Sequence, residues 1–193
     1  SSLRHTFTYS KPLVCELNKP PVELNRLDQK NWTATPEEIS DQICEGIEKL
    51  IHKVDAFIVM DQVDIEETGV ITSQILERLG QIQEQNPEKL IIADSRRGLQ
   101  SYPNLTYKMN ANELAAWKGC SKMSLDQVKT ESFQMARKSG QPVFVSMADQ
   151  GITGVIPKGD QAHAASLPLR GPIDIVGAGD SVTANLCASL AAG

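Results

Sequence analysis

Short apolar runs that alternate with amphipathic helical stretches constrain this chain most. Ala56-Phe57-Ile58-Val59-Met60 and Leu90-Ile91-Ile92-Ala93 read as strands that end at Asp61 and Asp94. Before the first run, Ile39, Ile43, Ile47, Leu50, Ile51 and Val54 recur at helical spacing. Ile71, Ile75, Leu76, Leu79 and Ile82 do the same before the second, and Asn86-Pro87 breaks that helix. Strands of this length alternating with amphipathic helices predict an α/β fold. Its sheet is doubly wound and mainly parallel, with helices on both faces. Such sheets bind ligands at the carboxyl ends of their strands, where Asp61, Asp94 and Asn110 fall; each could equally cap the following turn.

The flanking segments fit the same plan. Residues 1–34 look extended, with a β-prone Thr6-Phe7-Thr8-Tyr9 and a breaker at Lys19-Pro20-Pro21. Thr35, Pro36 and Glu38 predict a capped helix start with a capping box. Leu105 to Asn110 reads as a third strand, and a short helix follows around residues 112–118. Ser124 and Gln127 form a second capping box, and Gly140 closes that helix. Pro142 to Met147 is a strand whose hairpin partner, Ile152 to Ile156, lies across Asp149-Gln150-Gly151. Helix formers run from Gly179 to Gly193.

Composition narrows the function classes. The chain has 193 residues, 40% hydrophobic and 22% charged, which suits one domain with a sizeable core. A net charge of −5 lacks the electrostatic footprint of a nucleic-acid binder, although one locally positive loop can still hold a phosphate. Cys15, Cys44, Cys120 and Cys187 are widely spaced with no zinc pattern, so buried free thiols in a reducing compartment are expected. No run is apolar for the length of a membrane span, and the N-terminus lacks a signal peptide's apolar stretch. The expectation is a cytoplasmic protein with neither nucleic-acid nor membrane partners.

The richest stretch is Asp174-Ile175-Val176-Gly177-Ala178-Gly179-Asp180-Ser181. Two glycines and an alanine let backbone N–H groups approach an oxyanion, and the helix that follows adds its positive dipole end. That is an anion hole for charge developing on a transferring phosphoryl group. Asp180, at the helix start, is either a favourable N-terminal charge or the acceptor of a proton from an attacking hydroxyl.

The extended pattern, with an Asp three residues before Gly-Ala-Gly-Asp, resembles the C-terminal signature of the PfkB (ribokinase-like) carbohydrate kinases. The resemblance implies that Asp180 is the catalytic base and that Gly177, Ala178 and Gly179 bind the transferred phosphate. Asp174 is the conserved-type acid of that signature and falls on the substrate side. Asn110-Ala111-Asn112-Glu113 is similar to the family's Asn-x-x-Glu, which implies that Glu113 organises Mg2+ through water and that Asn110 lies near the phosphates of ATP. Without the glycine loop, Asn110 would simply end a strand and Glu113 would be a first-turn acid. Ser146-Met147-Ala148-Asp149-Gln150-Gly151 resembles the nucleotide-contacting hairpin, with Ser146 and Gly151 in place and Ala148 where relatives usually carry glycine.

Asn25-Arg26-Leu27-Asp28, Asp55 to Asp61 and Gly69-Val70-Ile71-Thr72 look like the heptose-phosphate kinase branch, with Gln62 replacing a tyrosine. Arg26 is then a candidate for an anionic substrate group, or a surface salt bridge. Lys108, Arg96 and Arg97 could reach phosphates, with solvated charge as the default. The resemblance implies an ATP- and magnesium-dependent kinase of a sugar or sugar phosphate, and it leaves room for a homodimer of the full-length protein. It divides the chain into a remnant of the substrate and lid region over 1–34 and an α/β core over 35–193, cut short at both ends and exposing apolar surface. Alternatives are a nucleoside or vitamin kinase of the same fold, a catalytically silent homologue acting as a binding or regulatory protein, and a kinase fused to a nucleotidyltransferase.

Overall fold

The computed structural model describes residues 3–168, 171 and 175–193. The chain opens with four short strands, β1 (Thr8–Ser10), β2 (Leu13–Val14), β3 (Val22–Glu23) and β4 (Leu27–Gln29). They pair antiparallel as β1 with β4 and β2 with β3. Large apolar side chains stand in solvent here, Leu17 and Trp32 among them. The ribbon is tied down by Lys30 to Asp64 at 2.6 Å and by Arg4, which donates to the Thr68 carbonyl at 2.6 Å. A 460 Å³ groove lies between it and the core, lined by Phe7, Tyr9 and Asn31 on one side and Ile39, Ile43 and Met60 on the other.

The remainder alternates as the periodicity predicts. Helix α1 (Glu37–Leu50) is followed by β5 (Ala56–Asp61), α2 (Ser73–Gln85), β6 (Leu90–Ser95) and β7 (Thr106–Asn110). Then come α3 (Ala111–Trp117), α4 (Leu125–Ser139), β8 (Val143–Ser146), β9 (Ile152–Val155), β10 (Gln161–Ala164) and α5 (Ala178–Ala192). The central sheet runs in the order β10-β9-β8-β7-β6-β5. Strands β5 to β8 are parallel, and β9 and β10 extend the sheet antiparallel. This is the expected ribokinase-like α/β architecture.

Alternation along the strands sorts side chains onto two faces. Val59, Ile91, Ala93, Tyr107, Met109, Val143 and Val145 form the main core with Ile75, Leu79, Leu114, Val128 and Met135 from α2, α3 and α4. Ile43 and Ile47 of α1 pack against it. The opposite face carries Met60, Asp94, Lys108 and Phe144, by the register Met60 to Asp94 and Lys108 to Phe144. Helix α5 lies over β5 and β6 on that side.

Two local expectations are corrected. Thr35 does not cap α1: its hydroxyl donates to the Gly69 carbonyl at 2.6 Å and its N–H bonds the Glu67 carbonyl at 2.6 Å. Pro36 occupies the cap, and its carbonyl accepts from Ile39 and Ser40. The four cysteines are unbridged, but only Cys187 is buried; Cys15 and Cys120 lie in exposed loops. Among the described residues, no helix is long and apolar enough to cross a membrane.

Candidate active site

Parallel pairing brings the carboxyl ends of β5 to β8 to one side. Asn110 and Ser146 are register partners there. Asn110 ends β7 and caps α3: its side-chain oxygen accepts the N–H groups of Asn112 and Glu113, both at 2.9 Å. Glu113 closes the capping box with Oε2 on the Asn110 N–H at 2.7 Å. The first-turn role weighed for these residues is therefore real. It occupies one carboxylate oxygen and sets the direction of the other. Burial pushes the Glu113 carboxyl above the usual carboxylate range, against the Asn110 N–H bond; the Asp94 charge adds to the rise and Lys108 opposes it.

Beside this box lies a buried polar group. Lys108 is 4% exposed and its Nζ contacts Asp94 Oδ2 at 2.7 Å. The Thr183 hydroxyl of α5 lies 2.8 Å from the same oxygen and 3.1 Å from the Gly179 carbonyl, so its one proton goes to the nearer carboxylate or is shared between the two acceptors. A charge this deep is costly unless paired and hydrogen-bonded, and the second donor helps complete the pairing. Lys108 is thus no solvated charge: its place on the α5 face of β7 turns it under the helix. Asp94 is likewise more than a turn cap.

The glycine loop opens α5. Gly177 takes φ 77°, a left-handed conformation that favours glycine, and Ser181 bonds back to its carbonyl at 2.9 Å. The N–H groups of Gly179 and Asp180 fall in the first turn, where a helix has no acceptor of its own to offer them. A methyl group placed on Gly179 would stand 3.5 Å from Lys108 Nζ. The loop therefore sits against the tip of the Lys108 side chain, and the Asp180 side chain in the same turn is exposed. Asp174 lies outside the described residues.

Gly151 closes the β8–β9 hairpin at φ 94°, and a side chain there would overlap the Ala164 carbonyl. Ser146 donates weakly to the Met109 carbonyl at 3.4 Å. Arg26 is engaged on the N-terminal ribbon: its Nε pairs with Asp28 at 2.6 Å and its guanidinium lies 5.1 Å over the Tyr9 ring. Arg97 is committed too, to buried Asp61 at 2.7 Å and Glu66 at 2.9 Å. Asp61 also accepts from Tyr102, whose hydroxyl burial pushes far above its ordinary range.

Asn110, Glu113 and Ser146 share the carboxyl ends of β7 and β8, and the loop 177–180 approaches that side through Gly179, beside the Lys108 ammonium. Sequence reasoning missed the roles of Asp94 and Thr183. The available signal was Lys108 itself, a charge between Tyr107 and Met109 in an interior strand of a parallel sheet, which demands a buried partner.

Comparison with known proteins bears on the family and the fold. The bifunctional protein HldE of Rhodopseudomonas palustris (strain HaA2) is 24% identical over 170 residues, covering 87% of this chain and 34% of the relative. The HldE of Bradyrhizobium sp. (strain ORS 278) is 23% identical over 172 residues, with the same coverage of 87% and 34%. The chain thus spans about a third of the length of these curated relatives. Among solved structures, phosphofructokinase-2 from Escherichia coli in complex with fructose-6-phosphate superposes with a TM-score of 0.60 at 21% identity, over 86% of this chain and 54% of that one. Arabidopsis thaliana ribokinase complexed with ribose and ATP gives 0.64 at 16% identity, over 95% and 58%. At these identities the superpositions speak for the fold. The model of the pfkB family carbohydrate kinases matches residues 69–193, which include β6 to β8, the Asn110–Glu113 box and the glycine loop. On that match, the chain belongs to the pfkB family of carbohydrate kinases.

Proposed function

We propose that the full-length protein is a cytoplasmic kinase that transfers the γ-phosphate of ATP to a hydroxyl of a sugar or sugar phosphate. Asp180 accepts the hydroxyl proton, and the N–H groups of the loop 177–179 and the α5 dipole stabilise the charge on the transferred group. Asp174 and Arg26 serve the substrate side, and Ser146 and Gly151 the nucleotide side. Residues 1–34 form part of a substrate lid, which the groove between ribbon and core supports.

One observation carries the reading. The loop opens a helix directly above a buried lysine, next to the carboxyl ends of the parallel strands. Anion donors, a cation and an exposed carboxylate then share one small region, as phosphoryl transfer requires.

The residues fit a magnesium ion. Glu113 offers a hard oxygen beyond the one its cap uses, and magnesium is commonly held by one or two carboxylates together with substrate phosphates. When bound, the ion would neutralise phosphate charge; the chain's own part is to hold that carboxylate in place through Asn110.

The test is an ATP-consumption assay of the full-length protein against fructose 6-phosphate, ribose and a heptose phosphate. The reading expects turnover on at least one, abolished by chelating magnesium. Wild-type protein that consumes ATP with none of a broad sugar and sugar-phosphate panel would refute it.

A further inference from the structure

We infer that Arg4 is a positioning residue for the acceptor: it pins both limbs of the N-terminal ribbon to the turn that follows β5 and so sets the ribbon's angle over the groove. The inference rests on the kinase reading, in which that ribbon is part of a substrate lid, and adds a residue to it.

The ribbon cannot hold its angle by packing. Every residue of β1, β2, β3 and β4 is exposed, and their pairing joins the ribbon only to itself. A flap without buried side chains takes its orientation from the bonds at its base. Those bonds converge on Arg4. Its Nη1 donates to the Ala34 carbonyl at 2.8 Å, and its Nη2 donates to the Thr33 carbonyl at 2.8 Å and to the Thr68 carbonyl at 2.6 Å. Arg4 lies on the limb that enters the ribbon, Thr33 and Ala34 on the limb that leaves it, and Thr68 in the core. One guanidinium thus joins three separate stretches of chain, which a planar fork of donors does better than a single ammonium.

Further bonds tighten the same knot. Thr35 donates to the Glu67 carbonyl through its N–H and to the Gly69 carbonyl through its hydroxyl, both at 2.6 Å. The Glu67 carboxylate accepts the N–H of Ser73 at 2.8 Å and its hydroxyl at 2.6 Å, where α2 begins. Asn31 links the two limbs by donating to the His5 carbonyl at 2.8 Å. The knot borders the 460 Å³ groove: Arg4, Thr35 and Thr68 line it together with Phe7 and Tyr9 of the ribbon and Asp61 at the end of β5. Another tie, Lys30 to Asp64, is of a different kind. The Asp64 side chain is 62% exposed, and an ion pair in solvent contributes little. The Arg4 bond to Thr68 is partly buried and costs more to lose.

The discriminating protein is full-length Arg4→Met, which keeps an apolar stem and removes every donor. Lys30→Met is its control. Thermal unfolding and MgATP affinity by titration calorimetry are measured beside KM and kcat. The acceptor is the one the wild type turns over fastest among fructose 6-phosphate, ribose, a heptose phosphate and the wider sugar panel. Arg4→Met should fold with wild-type MgATP affinity, with KM for the acceptor raised about 10-fold or more and kcat within about 3-fold. Lys30→Met should move that KM by less than about 3-fold. A residue that only supported the fold would instead lower the unfolding midpoint and weaken MgATP binding together with acceptor binding. That joint loss, an unchanged KM in folded Arg4→Met, or an equal rise in Lys30→Met overturns the inference and leaves the kinase reading standing. A wild type that turns over no sugar or sugar phosphate sinks the kinase reading and the inference with it. Should Arg4→Met not fold, hydrogen exchange at the Arg4 side-chain N–H groups of the wild type decides. Saturating acceptor slows it if Arg4 pins the ribbon over the bound molecule, and an unchanged rate rejects the inference.

Discussion

Asn110 and Glu113 cap each other. The Asn110 side-chain oxygen accepts the Glu113 N–H at 2.9 Å while Glu113 Oε2 accepts the Asn110 N–H at 2.7 Å. Glutamine closes such a box as well as glutamate does. Glu113→Gln should therefore leave stability within about 0.5 kcal/mol of wild type while raising the magnesium concentration needed for turnover. Glu113→Ala should lose about 0.5–2 kcal/mol as well. Denaturant titration beside a magnesium dependence separates the two. An unchanged magnesium requirement in the glutamine variant would leave Glu113 a cap alone.

The same residue gives a pH signature. Burial raises the folded carboxyl, so the native state binds its proton more readily than the unfolded chain. The contribution to stability is then full below the ordinary glutamate range and is lost as pH rises through the folded value. Wild type should gain stability relative to Glu113→Gln as pH falls from 7 toward about 4. A difference that moves the other way means that the cap bond outweighs burial.

Asp180→Asn keeps size and capping ability but cannot accept a proton. Turnover of the full-length protein should fall about 10²–10⁴-fold with folding and ATP binding kept. Near-normal turnover would reduce Asp180 to a helix-start charge.

Thr183→Val removes a buried hydrogen bond to a carboxylate at nearly constant volume. The expected loss is about 1.5–3 kcal/mol, read from denaturant midpoints. Because the bond ties α5 to β6, hydrogen exchange should accelerate first in α5. Uniform acceleration across the sheet would show that α5 is held by other contacts.

Gly151→Ala should destabilise the hairpin by more than about 1 kcal/mol, since φ 94° suits glycine and the new methyl meets the Ala164 carbonyl. An unchanged unfolding midpoint would mean that β9 and β10 can part without loss.

Much of this was legible in the chain. The periods of Ile39 to Val54 and Ile71 to Ile82 predict α1 and α2, and the box at Ser124 and Gln127 forms with both bonds, closed by Gly140. These are local signals, set by residues three or four apart. Thr35 failed because its hydroxyl is claimed by Gly69, a contact from a distant turn that no local pattern announces. The Asp94–Lys108–Thr183 group was hidden for the same reason. Its members lie 14 and 89 positions apart and meet only once strand register and the path of α5 are known. Solvated charge is a fair default for lysine and arginine in general; Lys108 departs from it because the sheet turns it toward buried Asp94, and Arg97 because the turn after β6 brings it to buried Asp61.

Ala148 holds φ at 50°, a region where a residue with a side chain loses roughly 1–2 kcal/mol. Its neighbours dictate the angle: Met147 N–H bonds the Gly151 carbonyl at 2.7 Å, Gln150 N–H bonds Met147 at 3.0 Å, and Gly151 N–H bonds Ala148 at 3.1 Å. The hairpin's shape is therefore written in its backbone bonds rather than in the residue at its tip. A loop specified in that way can drift in side chain while its outline stays fixed, so an unfamiliar residue at position 148 says little about whether the surface beneath it has changed.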